Sequence, residues 1–160
     1  MNVNDLAQET TVVASAYRNY NGGYFRTLLS PEQSGGELAI LDMVLPKGSE
    51  PPLHMHEKED ETFHVLSGAI NFVIDGTPHT LEAGSTLFAP RGIRHYFEIM
   101  TDTAHFLTIL TPGDFWNYFM EFSQPCHEEP RITALEMPTP EQIQYMTERL
   151  SKRYQLSLIV

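Results

Sequence analysis

Residues 48–68 read GSEPPLHMHEKEDETFHVLSG. The stretch holds three histidines (His54, His56 and His64), a run of acids and a glycine at each end. A solvated loop and one part of a metal site both fit that composition, and spacing separates them. On an extended segment His54 and His56 point to the same side, because strand side chains alternate with period two. The four residues between His56 and Glu61 leave room for a turn that brings the carboxylate back beside the pair. Two imidazoles and one carboxylate are a common set for a divalent transition metal. Alternation from Glu61 keeps Phe63 and Val65 on its face and turns His64 away. Among the acids only Glu61 opens an apolar strand, so Glu57, Glu59 and Asp60 are expected in solvent.

Three ligands are an incomplete set for iron, manganese or nickel. Residues 84–99 read GSTLFAPRGIRHYFEI. Pro90 and Gly92 mark a tight turn there, and the strand that leaves it starts at His95, which offers a fourth ligand from another strand. Phe63, Phe97 and Ile99 share faces with their ligand neighbours. They form either plain core or the apolar wall of a pocket for a small molecule. His105, at the start of a later strand, is a further candidate for that pocket. Arg91 and Arg94 flank the turn and are expected in solvent, as is His79 past a hairpin. His127 follows Cys126 with no partner that would make a thiol–imidazole nucleophile.

Outward from these stretches, short runs rich in β-branched and aromatic residues fill 36–46, 62–68, 69–76, 79–84, 85–90, 95–100 and 105–110. The dipeptide Asp75-Gly76 predicts a hairpin. Many short strands with frequent turns indicate a sandwich or barrel. Residues 1–20 lack periodicity and read as a loosely held arm before a barrel over 21–112. Over 113–160 the pattern turns helical on the same single domain. Phe115, Phe119 and Phe122 have helical spacing behind Asp114 as N-cap, placed to pack the core or to cover a barrel mouth. Thr139, Pro140 and Gln142 give an N-cap, an N1 proline and a capping-box partner. Ile143, Met146 and Leu150 follow as an apolar stripe.

The 160 residues are enough for one domain with a substantial core. A formal net charge of −11 argues against binding nucleic acid or an anionic membrane through a basic face. No apolar run approaches the length of a membrane span. MNVNDLAQETTVV at the N-terminus does not read as a secretory signal. Cys126 is the only cysteine, so no internal disulfide forms and a cytoplasmic setting is expected.

Both quoted stretches resemble the two motifs of the cupin superfamily, G(X)5HXH(X)3-4E(X)6G and G(X)5PXG(X)2H(X)3N. Every marked position of the first is present, and the second departs only at its end, where Ile99 replaces Asn. The 15 residues between them (69–83) match the short spacing of small bacterial cupins. The wider pattern from about 24 to 120 is most similar to quercetin-dioxygenase-like single-domain cupins. This resemblance implies an all-β double-stranded β-helix, a jelly-roll barrel, followed by C-terminal helices. It implies one divalent transition metal held by His54, His56, Glu61 and His95, with Glu61 also able to accept a substrate proton, and a homodimer through a barrel edge. The function it implies is a metal-dependent oxygenase acting on a small molecule. A cupin isomerase or lyase and a non-catalytic metal-dependent binding module are the alternatives, because this barrel hosts many chemistries. The Ile99 departure removes a polar side chain from the pocket or its packing, not a ligand.

Overall fold

The computed structural model describes residues 16–159. Its strands are β1 (Arg18–Tyr20), β2 (Gly23–Leu29), β3 (Ala39–Pro46), β4 (His54–His56), β5 (Asp60–Ser67), β6 (Ala69–Ile74), β7 (Thr77–Glu82), β8 (Thr86–Ala89), β9 (His95–Ile99), β10 (Thr103–Thr111), β11 (Gln124–Pro125) and β12 (Leu156–Leu158). Two helices, α1 (Trp116–Glu121) and α2 (Pro140–Lys152), lie late in the chain. The strands form two antiparallel sheets that face each other as a jelly roll. One runs β11-β1-β2-β3-β10-β5-β8 and the other β12-β4-β9-β6-β7. No helix among the described residues is long and apolar enough to cross a membrane.

Alternation builds the core. Along β10, Ala104, Phe106, Thr108 and Leu110 are buried, while the residues between them are only partly so. Phe106 meets Phe63 from the adjacent strand β5 and Phe97 from the facing sheet, and Phe72 closes the group, with ring centroids 4.7–6.5 Å apart. Such aromatic pairs add about 0.5–1.5 kcal/mol each beyond their area burial. The Asp75-Gly76 hairpin forms as expected. Both residues have positive φ (47° and 81°), the type I′ requirement, and Ile74 pairs with Thr77 across it. Gly68 turns β5 into β6 with φ +81°, and a Cβ there would lie 2.6 Å from the Thr103 carbonyl oxygen.

Several expectations change at the ends. The loosely held arm fails at Arg18–Tyr20, which pair in register with β2 and β11. Arg18 is anchored further by bonds to the Ser123 hydroxyl and to the carbonyls of Met120 and Ser123. The rest of that expectation, over residues 1–15, lies outside the described residues. Asp114 does not cap α1. The N-cap is Phe115 without a side-chain bond, because the Asp114 carboxylate instead accepts from Asn117 and Arg153. The capping box of α2 is present as expected, with Thr139 and Gln142 bonded reciprocally. Its stripe is shorter than expected: Leu150 is buried and Met146 packs on the core, but Ile143 is 45% exposed. The C-terminal segment is also not purely helical, since β11 and β12 return to the two sheets.

Candidate metal centre

His54, His56, Glu61 and His95 arrive from three strands of the two facing sheets and are all buried. β4 supplies His54 and His56 on one face, β5 supplies Glu61 as its second residue, and β9 opens with His95, directly across from His54. Each residue offers one ligand atom, and the four atoms lie within 4.8 Å of one another. Protein–metal bonds of about 2 Å place ligand atoms on opposite sides of an ion about 4 Å apart. The cluster therefore has the size of a coordination sphere. The second motif is tied to the first by the Gly92 N–H, which donates to the His56 carbonyl at 2.7 Å. Arg91 adds a two-pronged pair with Asp60, at 3.1 and 2.9 Å.

The rings are oriented from behind. His54 Nδ1 donates to the Pro52 carbonyl at 2.8 Å and His95 Nδ1 to the Ile93 carbonyl at 3.1 Å. Those bonds hold each ring with its Nε2 facing the cluster, the usual arrangement of a metal-bound imidazole. His95 Nε2 lies 2.9 Å and His56 Nε2 3.3 Å from the same oxygen, Glu61 Oε2. His56 is different. Neither of its ring nitrogens has a hydrogen-bond partner, although both are buried. Buried polar atoms without partners are rare and costly, and a cation bound among these residues would satisfy Nε2. The donor set and this orphaned nitrogen both fit a divalent metal.

The charges of the four side chains are set unevenly. Burial pushes the His54 imidazole down to about 4, only partly opposed by the Glu61 carboxylate. Burial also works against a charged His56, but Glu61 and Glu59 outweigh it and raise that ring. Glu61 is held well below the usual carboxylate range, because the imidazoles of His56 and His95 overcome its burial.

Glu59 is the residue that sequence reasoning missed. Expected in solvent, it is 1% exposed, and its Oε2 lies 3.5 Å from His56 Nδ1 with no hydrogen bond of its own. The available signal was that a ligand histidine needs a partner on its far nitrogen. Asp60 is likewise engaged, by Arg91, rather than left to solvent. Arg94 pairs with Asp75. Phe115 packs edge-on against the His56 ring at 4.5 Å, with Tyr118 stacked on it and Tyr154 edge-on behind. The aromatic cover expected from this segment therefore sits directly on a candidate ligand.

Phe63, Phe97 and Ile99 are buried on the same strand faces as Glu61 and His95. His64 faces the other way, as alternation required, and bonds the Thr86 hydroxyl at 2.8 Å. His105 does not join that face. Phe106 points into the aromatic core, so His105 stands on the outer face of the sheet, where it bonds Asp42 beside Arg26.

A model of the cupin domain matches residues 41–115, the span that holds both motifs. Over 100 residues, 62% of this chain, the sequence is 26% identical to quercetin 2,3-dioxygenase of Bacillus subtilis, of which it covers 30%. Across the curated relatives it matches, the chain spans 30–66% of their length. Among solved structures, an RmlC-like cupin from Shewanella frigidimarina aligns over 64% of this chain and 89% of its own, at TM-score 0.54 and 23% identity. A predicted oxalate decarboxylase from Thermotoga maritima aligns over 64% and 96%, at TM-score 0.54 and 27% identity. The paired motifs, the two-sheet jelly roll and the family match agree: residues 41–115 of this chain match the cupin domain, on a jelly roll of the cupin kind.

Proposed function

We propose that the chain is a metal-dependent oxygenase of the quercetinase-like kind, acting on a small, apolar, enolic or phenolic substrate. The observation that carries this reading is the buried His54–His56–Glu61–His95 cluster set above an aromatic core. A divalent ion bound there supplies Lewis acidity and, where the metal is redox active, one-electron chemistry. The three histidines orient their Nε2 atoms. Glu61 stays ionised and accepts the proton of the substrate hydroxyl on a carboxylate oxygen. Phe63, Phe97 and Ile99 form the apolar wall that excludes water. Among the described residues no lysine or arginine is buried, which favours a neutral or singly charged substrate over a dicarboxylate. A homodimer through a barrel edge, in a bacterial cytoplasm, completes the reading.

The likeness to a predicted oxalate decarboxylase supports a second reading, a cupin lyase or isomerase on the same site. Oxygen uptake separates the two. Metal-loaded protein is screened with flavonoids, catechols and diketones in an oxygen electrode. The oxygenase reading expects uptake matched by substrate loss, and Glu61→Gln to reduce it at least 100-fold. Substrate loss without uptake supports the lyase. Tight binding without turnover supports a binding module.

A further inference from the structure

The barrel's own sheet holds the candidate ligand strand weakly. β4 is three residues long and meets β9 at one register pair, His54 with His95. Against β12 it pairs along its full length: Leu156 with His56, Ser157 with Met55, Leu158 with His54. That ladder runs past both ends of β4. The Glu57 N–H donates to the Gln155 carbonyl at 3.1 Å, and the Ile159 N–H to the Leu53 carbonyl at 2.9 Å. β12 thus carries most of the backbone pairing of the strand that presents two of the four candidate ligands. It also lies well beyond residue 115, where the cupin domain match ends.

The segment that feeds β12 is pinned at both ends of α1. At the C-terminal end, Glu121 gathers three groups. Arg149 donates at 2.7 and 2.9 Å, Tyr145 Oη at 2.9 Å and Tyr154 Oη at 2.5 Å. At the N-terminal end, Arg153 donates to Asp114 at 2.8 and 3.2 Å. Both guanidiniums also lie over the Tyr154 ring, 5.7 and 5.0 Å from its centroid. Tyr154 itself is buried and packs edge-on against Phe115, the residue seated on His56.

We propose that residues 140–158 form a clasp that positions His54 and His56 for the metal, with Glu121 as its positioning residue. This rests on the reading that the four-residue cluster binds a metal. Coupling between two sites is reciprocal. Releasing the clasp weakens metal binding, and metal binding in turn orders the clasp.

The test titrates the metal-free full chain with Co2+, followed by visible absorption. It compares the unaltered chain with Glu121→Ala, Tyr154→Phe, Ser157→Pro and, as control, Glu148→Gln, a change at an exposed pair on the same helix. Proline at 157 removes an N–H from the β12 ladder. Circular dichroism of each metal-free variant verifies its fold, and Tyr154→Phe, which deletes a single hydroxyl, carries the test if Glu121→Ala fails to fold. Glu121→Ala and Ser157→Pro are expected to bind Co2+ on the order of tenfold more weakly, within the range seen when a ligand's supporting contact is lost. Tyr154→Phe is expected to bind several-fold more weakly, and Glu148→Gln unchanged. In the unaltered chain, Co2+ slows amide hydrogen exchange over 155–159. Folded variants with unchanged affinity, together with exchange indifferent to Co2+, would overturn the clasp alone. An unaltered chain that takes up no Co2+ would overturn the metal reading and the clasp with it.

Discussion

At the scale of single residues, the site separates histidines and acids that look alike in the sequence. His54 and His56 face the cluster and His64 faces out, and period-two alternation was enough to tell them apart. Alternation could not tell Glu59 from its acidic neighbours. Its burial depends on the turn between β4 and β5 folding back over His56, which no local pattern encodes. His105 failed for the converse reason. The phase of β10 is set by Phe106 entering the aromatic core, and the pairing with β5 shifts register between His105 and Phe106. The geometry of Glu59 leads to a direct expectation. Glu59→Gln lowers Co2+ affinity about 10- to 100-fold, as loss of an outer carboxylate does at other metal sites. Glu57→Gln, at an exposed position, leaves it unchanged. Isothermal titration of both variants checks this, and equal effects would mean that only the local negative charge matters.

At the scale of elements, the strands of the barrel were legible because each carries its own alternation and turn chemistry. Asp75-Gly76 and the capping box of α2 are local signals, and both were read correctly. β12 was not legible. It is three residues long, follows a helix, and takes its meaning from a partner about 100 residues earlier in the chain. The turn glycines are likewise not equivalent, although the sequence writes them alike. Gly68 and Gly76 share φ +81°, but a Cβ on Gly68 would meet the Thr103 carbonyl oxygen at 2.6 Å, whereas that on Gly76 meets open space. Gly76→Ala should therefore destabilise by about 1–2 kcal/mol, the cost of the left-handed conformation alone. Gly68→Ala should cost clearly more, because the backbone must also move. Urea unfolding of the two variants measures the difference, and equal losses would count against the close approach at Gly68.

At the scale of the whole molecule, the jelly roll supplies the cluster and the C-terminal segment closes over it. Glu121 joins the two. Contacts with Arg149, opposed by some burial and helped by Tyr154 and Tyr145, hold its carboxyl down to about 2, against an ordinary value of 4.5. A carboxyl whose folded pKa is depressed contributes stability that is fully present above its unfolded pKa and is lost as pH falls toward the folded one. The closure of the C-terminal segment should accordingly weaken between about pH 4.5 and pH 2. Amide exchange over 140–158 of the metal-free chain should accelerate across that interval more in the unaltered protein than in Glu121→Gln, which has no carboxylate to protonate. Identical acid responses in the two would contradict this role for Glu121.

Whether the four converging side chains hold a metal is decided by elemental analysis of the purified chain after reconstitution with a divalent transition metal. About one ion per chain is expected, retained in His64→Ala and lost when His54 and His56 are both replaced by alanine. A chain that carries no metal and takes none up, or one that loses it equally in both variants, would rule out this metal centre.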